Sequence, residues 1–141
     1  YGPKLRLRTV LKIFINKAIA GEVLQYHGSG LREQDFLHVC DIAEGITAAI
    51  QRKHVIGTYN MSGGSPISMR DLAFLVAKIV GNSSSKVENS GETDTQEDYR
   101  GNFNLNRAKK FLGWEPTITL QTGIKEWVNL IRKDIHAKII G

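Results

Sequence analysis

The stretch 24–41, LQYHGSGLREQDFLHVCD, constrains the fold more than any other part of the chain, because the backbone habit changes several times within it. Leu24, Gln25 and Tyr26 bring apolar and aromatic side chains suited to a pleated surface. His27-Gly28-Ser29-Gly30 ends any regular element, since glycine adopts backbone angles closed to other residues. After the polar Arg32-Glu33-Gln34-Asp35, the apolar run 36–40 predicts a short, largely buried strand. Asp41 is then placed to cap a helix, with Glu44 at capping-box spacing. A chain that passes from strand to glycine loop, strand and helix is of mixed α/β class. The loop, with Arg32, Gln34 and Asp35 beside it, is where a polar ligand is expected to dock.

The remaining elements follow from periodicity and stop signals. Residues 7–20 predict an amphipathic helix with Leu7, Val10, Leu11, Phe14, Ala18 and Ile19 on one face, stopped by Gly21. A helix over 42–51 is expected to turn Ile46, Ala49 and Ile50 inward, and 57–61 reads as a strand ending in the turn 62–66. Ser68 caps a helix with Asp71 at its third position, Leu72, Leu75, Val76 and Ile79 on its buried side, and Gly81 as its stop. The polar segment 82–97 is expected to be the most mobile, with an edge strand at 86–88. Asn104 caps a helix through Leu112, which Gly113 stops, Trp114 packs behind and Pro116 prevents from continuing. Thr119 opens a last helix with Leu120, Ile124, Trp127, Val128, Ile131 and Ile135 at helical spacing.

The 141 residues suit a single domain, and 41% hydrophobic with 23% charged residues argues against disorder. No apolar run reaches bilayer-spanning length. The lone Cys40 forms no internal disulfide and suits a reducing cytosol, so a cytoplasmic location is expected. The net charge of +5 is dispersed over the chain, which favours a phosphorylated small molecule over nucleic acid. Individual residues keep alternative readings. Arg32 is a phosphate contact or a loop ion pair; Gln34 and Asp35 serve a ligand or the loop backbone. His38 in an apolar run is read as a core residue, and Trp114 and Trp127 as core anchors. Arg6 and Arg8 open a helix whose dipole disfavours them, leaving an anion or partner contact open. No spacing suggests a hydrolytic triad or a metal site.

Several motifs stand in a characteristic order: YGP at 1–3, AGE at 20–22, Y-x-G-x-G at 26–30, QDFLHVCDIAEGI at 34–46, GTYNMSGG at 57–64, ISMRDLA at 67–73 and NRAKKFLGWEP at 106–116. Together they resemble the C-terminal portion of the extended short-chain dehydrogenase/reductase family, the NAD-dependent nucleotide-sugar epimerases and dehydratases. The resemblance implies the substrate-binding part of a Rossmann-associated α/β enzyme. In that family the N-terminal half holds NAD on a glycine-rich loop, and a tyrosine and lysine four residues apart carry the proton and hydride chemistry. No Tyr of this chain has a Lys four residues on. Tyr1-Gly2-Pro3 is also a turn on which a domain rarely opens, so a longer polypeptide with a Rossmann half is expected.

The resemblance further implies that Leu24, Gln25, Tyr26, Arg32, Gln34 and Asp35 clamp the nucleotide of a UDP- or dTDP-sugar, without catalytic competence of their own and with NAD bound elsewhere in the complete enzyme. The family usually carries Arg before the Asp-Phe pair, where this chain has Gln34, so the resemblance implies a diphosphate contact that is weakened or passed to Arg32. A second family arginine falls near Thr95, with Arg100 close by. Without the Rossmann half, apolar surface and strand edges are expected to be exposed and the chain to form a homo-oligomer. The alternative reading is a stand-alone nucleotide- or partner-binding regulatory module.

Overall fold

The computed structural model describes residues 1–3, 8–82 and 84–140, with side chains through residue 137. Arg6 and Leu7 lie outside the described residues. The helix expected around them runs as α1, Val10–Ala20, because the Thr9 hydroxyl accepts the Lys12 amide at 3.4 Å and sets its start. Gly21 closes it in the left-handed conformation. β1 (Leu24–Tyr26) and β2 (Glu33–Gln34) flank the glycine turn, and α2 spans Val39–Gln51. β3 (Ile67–Ser68) leads directly into α3 (Met69–Val80), followed by β4 (Val87–Asn89), a π-helix at Ala108–Leu112 and α4 (Leu120–Ile140).

α3 lies at the centre. Its start is held by Ser68, whose hydroxyl accepts the Asp71 amide at 3.0 Å, and its apolar residues recur at helical spacing. Leu72, Ala73 and Val76 are fully buried against Leu11, Ile15 and Ala18 of α1 and Ile124, Trp127 and Val128 of α4. Ile135, expected on the same stripe of α4, is 44% exposed, since α4 runs past the end of the core there. β1 and β4 pair in parallel, Leu24 opposite Val87, so the expected edge strand forms one residue later than read. β2 and β3 pair antiparallel, Glu33 opposite Ser68.

A second, smaller cluster gathers Ala108, Leu112 and Trp114 with Ala48, Ala49, Val55, Tyr59 and Met61 packed against them. Here the structure departs from the sequence reading. The run 36–40 is no strand: Tyr1 O accepts the Val39 amide at 2.8 Å and His38 Nδ1 accepts that of Cys40 at 3.3 Å, so α2 begins at Val39 with His38 as its cap. Asp41 is therefore not the cap. It sits fully buried in the first turn and accepts from Thr117 N, Thr117 Oγ1 and Ile118 N at 2.9–3.2 Å. The run 57–61 has no strand partner among the described residues; it lays Tyr59 and Met61 on the cluster, with the Arg107 guanidinium 5.0 Å over the Tyr59 ring.

Ile46 and Ile50 do not turn inward but are 50% and 70% exposed. The inner face of α2 uses small residues because its neighbours come close: a Cβ on Gly45 would meet the Met61 sulfur at 2.8 Å and the Trp114 ring at 3.1 Å. The helix before Gly113 is π rather than α, and Asn104 Oδ1 accepts the Asn106 amide at its approach. Trp114 anchors the cluster as expected, 3% exposed, and donates its indole N–H to Asp41 O at 3.0 Å.

Candidate nucleotide groove

α1 has two faces in use. Leu11, Phe14, Ile15 and Ala18 enter the core, while Val10, Ile13 and Lys17 share a second face with the edge of Phe14 at i, i+3, i+4, i+7 spacing. That second face forms one wall of a groove of about 260 Å³. Gln25 and Tyr26 of β1, His27, Met69, Arg8, Arg32 and Asp94 complete the lining. The turn above is tight. Gly30 has φ 74°, and a Cβ there would lie 2.7 Å from both the Tyr26 ring and Arg70, so only glycine lets the chain pass over Tyr26.

Loop 90–97, the second half of the segment 82–97 expected to be the most mobile, is tied to this turn. Gly28 N donates to Glu92 O at 2.7 Å, Ser29 N to Glu97 Oε1 at 2.7 Å, and His27 Nδ1 lies 2.7 Å from Ser90 Oγ. Arg32 Nε donates to Asp94 Oδ2 at 2.7 Å, with the two side chains 17% and 12% exposed. Burial pushes the Asp94 carboxyl up, but the Gln96 amide and the Arg32 guanidinium outweigh it and hold the group below the usual carboxylate range. Bonds from Ser29 likewise hold Glu97 low.

The six residues expected to clamp a nucleotide divide among three places. Gln25, Tyr26 and Arg32 line the first groove. Gln34 and Asp35 line a neighbouring one of about 420 Å³, with Gln96, Tyr99 and Phe103. Leu24 is fully buried in the main core and turns its side chain away from both. Asp35 also holds the 62–66 turn, accepting the Gly64 amide at 2.9 Å, and its other oxygen is buried without a hydrogen-bond partner. Arg32 takes the ion-pair reading. Arg100 bonds the carbonyls of Glu97 and Tyr99 in its own loop.

Asp94 and Lys17 were not among the expected site residues. Lys17 was legible as the fourth member of a helical stripe, whereas Asp94 meets Arg32 from 62 residues away and has no local signal. His38 is a core residue, 1% exposed, with Nε2 3.8 Å from Glu126 Oε2. Among the described residues there is no cluster of His, Cys, Asp or Glu able to hold a metal, and no helix long and apolar enough to cross a membrane. Nor is there a pyrophosphate cradle of the dinucleotide type at the one strand that leads straight into a helix. The first amides of α3 are taken by Arg32 O, Gly30 O and Ser68 Oγ.

This arrangement of helices around short strand pairs is of the mixed α/β class, and known proteins share it. A family model described as GDP-mannose 4,6 dehydratase matches residues 1–127. The chain belongs to that family, among the extended short-chain dehydrogenase/reductase epimerases and dehydratases of nucleotide sugars. UDP-glucuronic acid decarboxylase 1 of Xenopus tropicalis is 30% identical over 96% of this chain and 32% of its own length. The UDP-glucose 4-epimerase of Thermotoga maritima, solved with UDP-glucose, is 25% identical with a TM-score of 0.81, over 96% of this chain and 44% of that one. A Bacillus cereus UDP-glucuronic acid 4-epimerase, solved with UDP-glucuronic acid and NAD, shares the fold at 23% identity and TM-score 0.77, over 93% of this chain and 43% of that one. The chain thus spans about a third of the length of the curated relatives it matches first.

Proposed function

We propose that this chain is the nucleotide-sugar-binding part of an NAD-dependent sugar epimerase or dehydratase, taking a UDP- or dTDP-sugar and lacking catalytic competence by itself. The observation that carries this is the groove between α1 and β1. An apolar wall from Val10, Ile13 and Phe14 lines it together with Tyr26 and Gln25, with cationic side chains around them. A base needs a flat apolar or aromatic face with a few polar groups to orient it, and a diphosphate needs cations; the groove has both. The chain's contribution to the reaction is to hold and orient the substrate, which lowers the entropic part of the barrier.

NAD, the tyrosine and lysine that transfer protons, and the dinucleotide loop belong in this reading to a Rossmann half. The face of α2 carrying Val39, Ile46 and Ile50, each about half exposed or more, is the surface that docks there or, in its absence, against a second copy of the chain.

Isothermal calorimetry of the chain with UDP, dTDP and their sugars tests the reading. Saturable binding of a nucleotide, weakened by Tyr26→Ala, is the expected result. Heats indistinguishable from dilution for every nucleotide would remove the proposal.

A further inference from the structure

We infer that the anionic part of the ligand is held by Arg8, just before α1, and Lys17 of α1, and not by Arg32; this rests on the nucleotide reading of the groove. Arg32 lines the groove just after the glycine turn in sequence, but its Nε is bonded at 2.7 Å to Asp94, and both side chains are mostly buried. Asp94 takes the Nε–H and cancels the charge of the guanidinium, so a phosphate approaching Arg32 would meet a carboxylate already paired with the same cation. Asp94 is further anchored through its second oxygen, which accepts the Gln96 amide at 2.9 Å. The pair is therefore a neutral part of the wall.

Arg8 and Lys17 differ on each count. Arg8 is exposed, Lys17 is half-buried, and neither has an ion-pair partner among the described residues. Arg8 stands just before the Thr9 cap and Lys17 lies in the last turn of α1, so they bracket the apolar face of Val10, Ile13 and Phe14. Long flexible side chains at both ends of that face reach over a ligand lying along it. With Arg32 and Asp94 cancelling, the lining carries a net positive charge from these two residues alone. That matches a diphosphate ester with one negative charge on each phosphate. Asp94 has a second consequence: it keeps Arg32 from adding to the anion site, so removing its charge releases a third cation.

Calorimetry with uridine, UDP and inorganic pyrophosphate on the wild-type chain, Arg8→Ala/Lys17→Ala, Arg32→Ala and Asp94→Asn tests this, with circular dichroism confirming that each variant is folded. The double variant is expected to bind UDP about tenfold more weakly or worse, as loss of charge-assisted bonds demands, while uridine affinity stays unchanged. Asp94→Asn is expected to bind UDP several-fold more tightly. UDP affinity retained in the double variant and lost in Arg32→Ala would overturn the inference, as would an equal loss for uridine and UDP. A wild-type chain that ignores both nucleotides but binds pyrophosphate through Arg8 and Lys17 would uphold the anion site while ending the nucleotide reading. Binding of none of the three would end both.

Discussion

In the main core α1, α3 and α4 cover one another's apolar faces, whereas around the π-helix α2 turns its larger apolar residues away from the rest of the chain. Leu11, Leu72 and Ile124 are fully buried, each by side chains this chain supplies. Val39, Ile46 and Ile50 are open, and the inward side of α2 is built from Gly45, Ala48 and Ala49 so that Met61 and Trp114 fit beneath it. The first region is closed. The second is held by a buried carboxylate, Asp41, which ties the chain after Trp114 to the start of α2, and it leaves an apolar helix face without cover. A helix face buried by its own chain and one left for another surface carry the same periodicity; what separates them is the size of the residues facing inward.

The contrast gives an order of expected effects. Leu72→Ala opens a cavity at the centre of the closed region and is expected to cost about 2–5 kcal/mol in urea unfolding, lowering the whole transition. Asp41→Ala leaves two amides and a hydroxyl without their acceptor, at about 2–3 kcal/mol. A loss as large as that at Leu72 would show the smaller cluster to be as integral as the main core. Ile50→Glu is expected to change stability by less than about 0.5 kcal/mol, because the residue is exposed, yet to shift the chain from self-associated to monomeric in sedimentation. A wild-type chain that stays monomeric at high concentration would end the idea that this face seeks a partner.

The smallest effect is electrostatic. The Asp94 carboxyl lies below its ordinary value in the folded chain, so the stability it adds is present above about pH 4 and is lost as acid protonates the folded form. Asp94→Asn is expected to remove that part of the acid dependence in melts taken between pH 3 and pH 6.

Some of this was readable beforehand and some was not. The stop at Gly21, the Ser68 cap, the Gly81 stop and the buried stripe of α3 are local signals met by local structure, and the structure follows them. The runs 36–40 and 57–61 have strand composition, but no partner strand pairs with them among the described residues. Their amides and side chains go instead to the cap of α2 and to the π-helix cluster. β-composition states what a run can do, and a neighbouring strand decides whether it does so. The candidate site divides in the same way. Tyr26, Gln25 and Arg32 were placed from motif order and do line the groove, but the partner of Arg32 lies on a distant loop.

By itself the sequence determined the class of fold, the helix boundaries that have caps and glycine stops, and the family, because each rests on residues a few positions apart or on motifs in order. Only the tertiary structure decided that Arg32 belongs to Asp94, that Asp41 is a buried tie rather than a cap, and that α2 faces outward. Those outcomes depend on which distant groups arrive within bonding distance, and no local pattern of side chains encodes that.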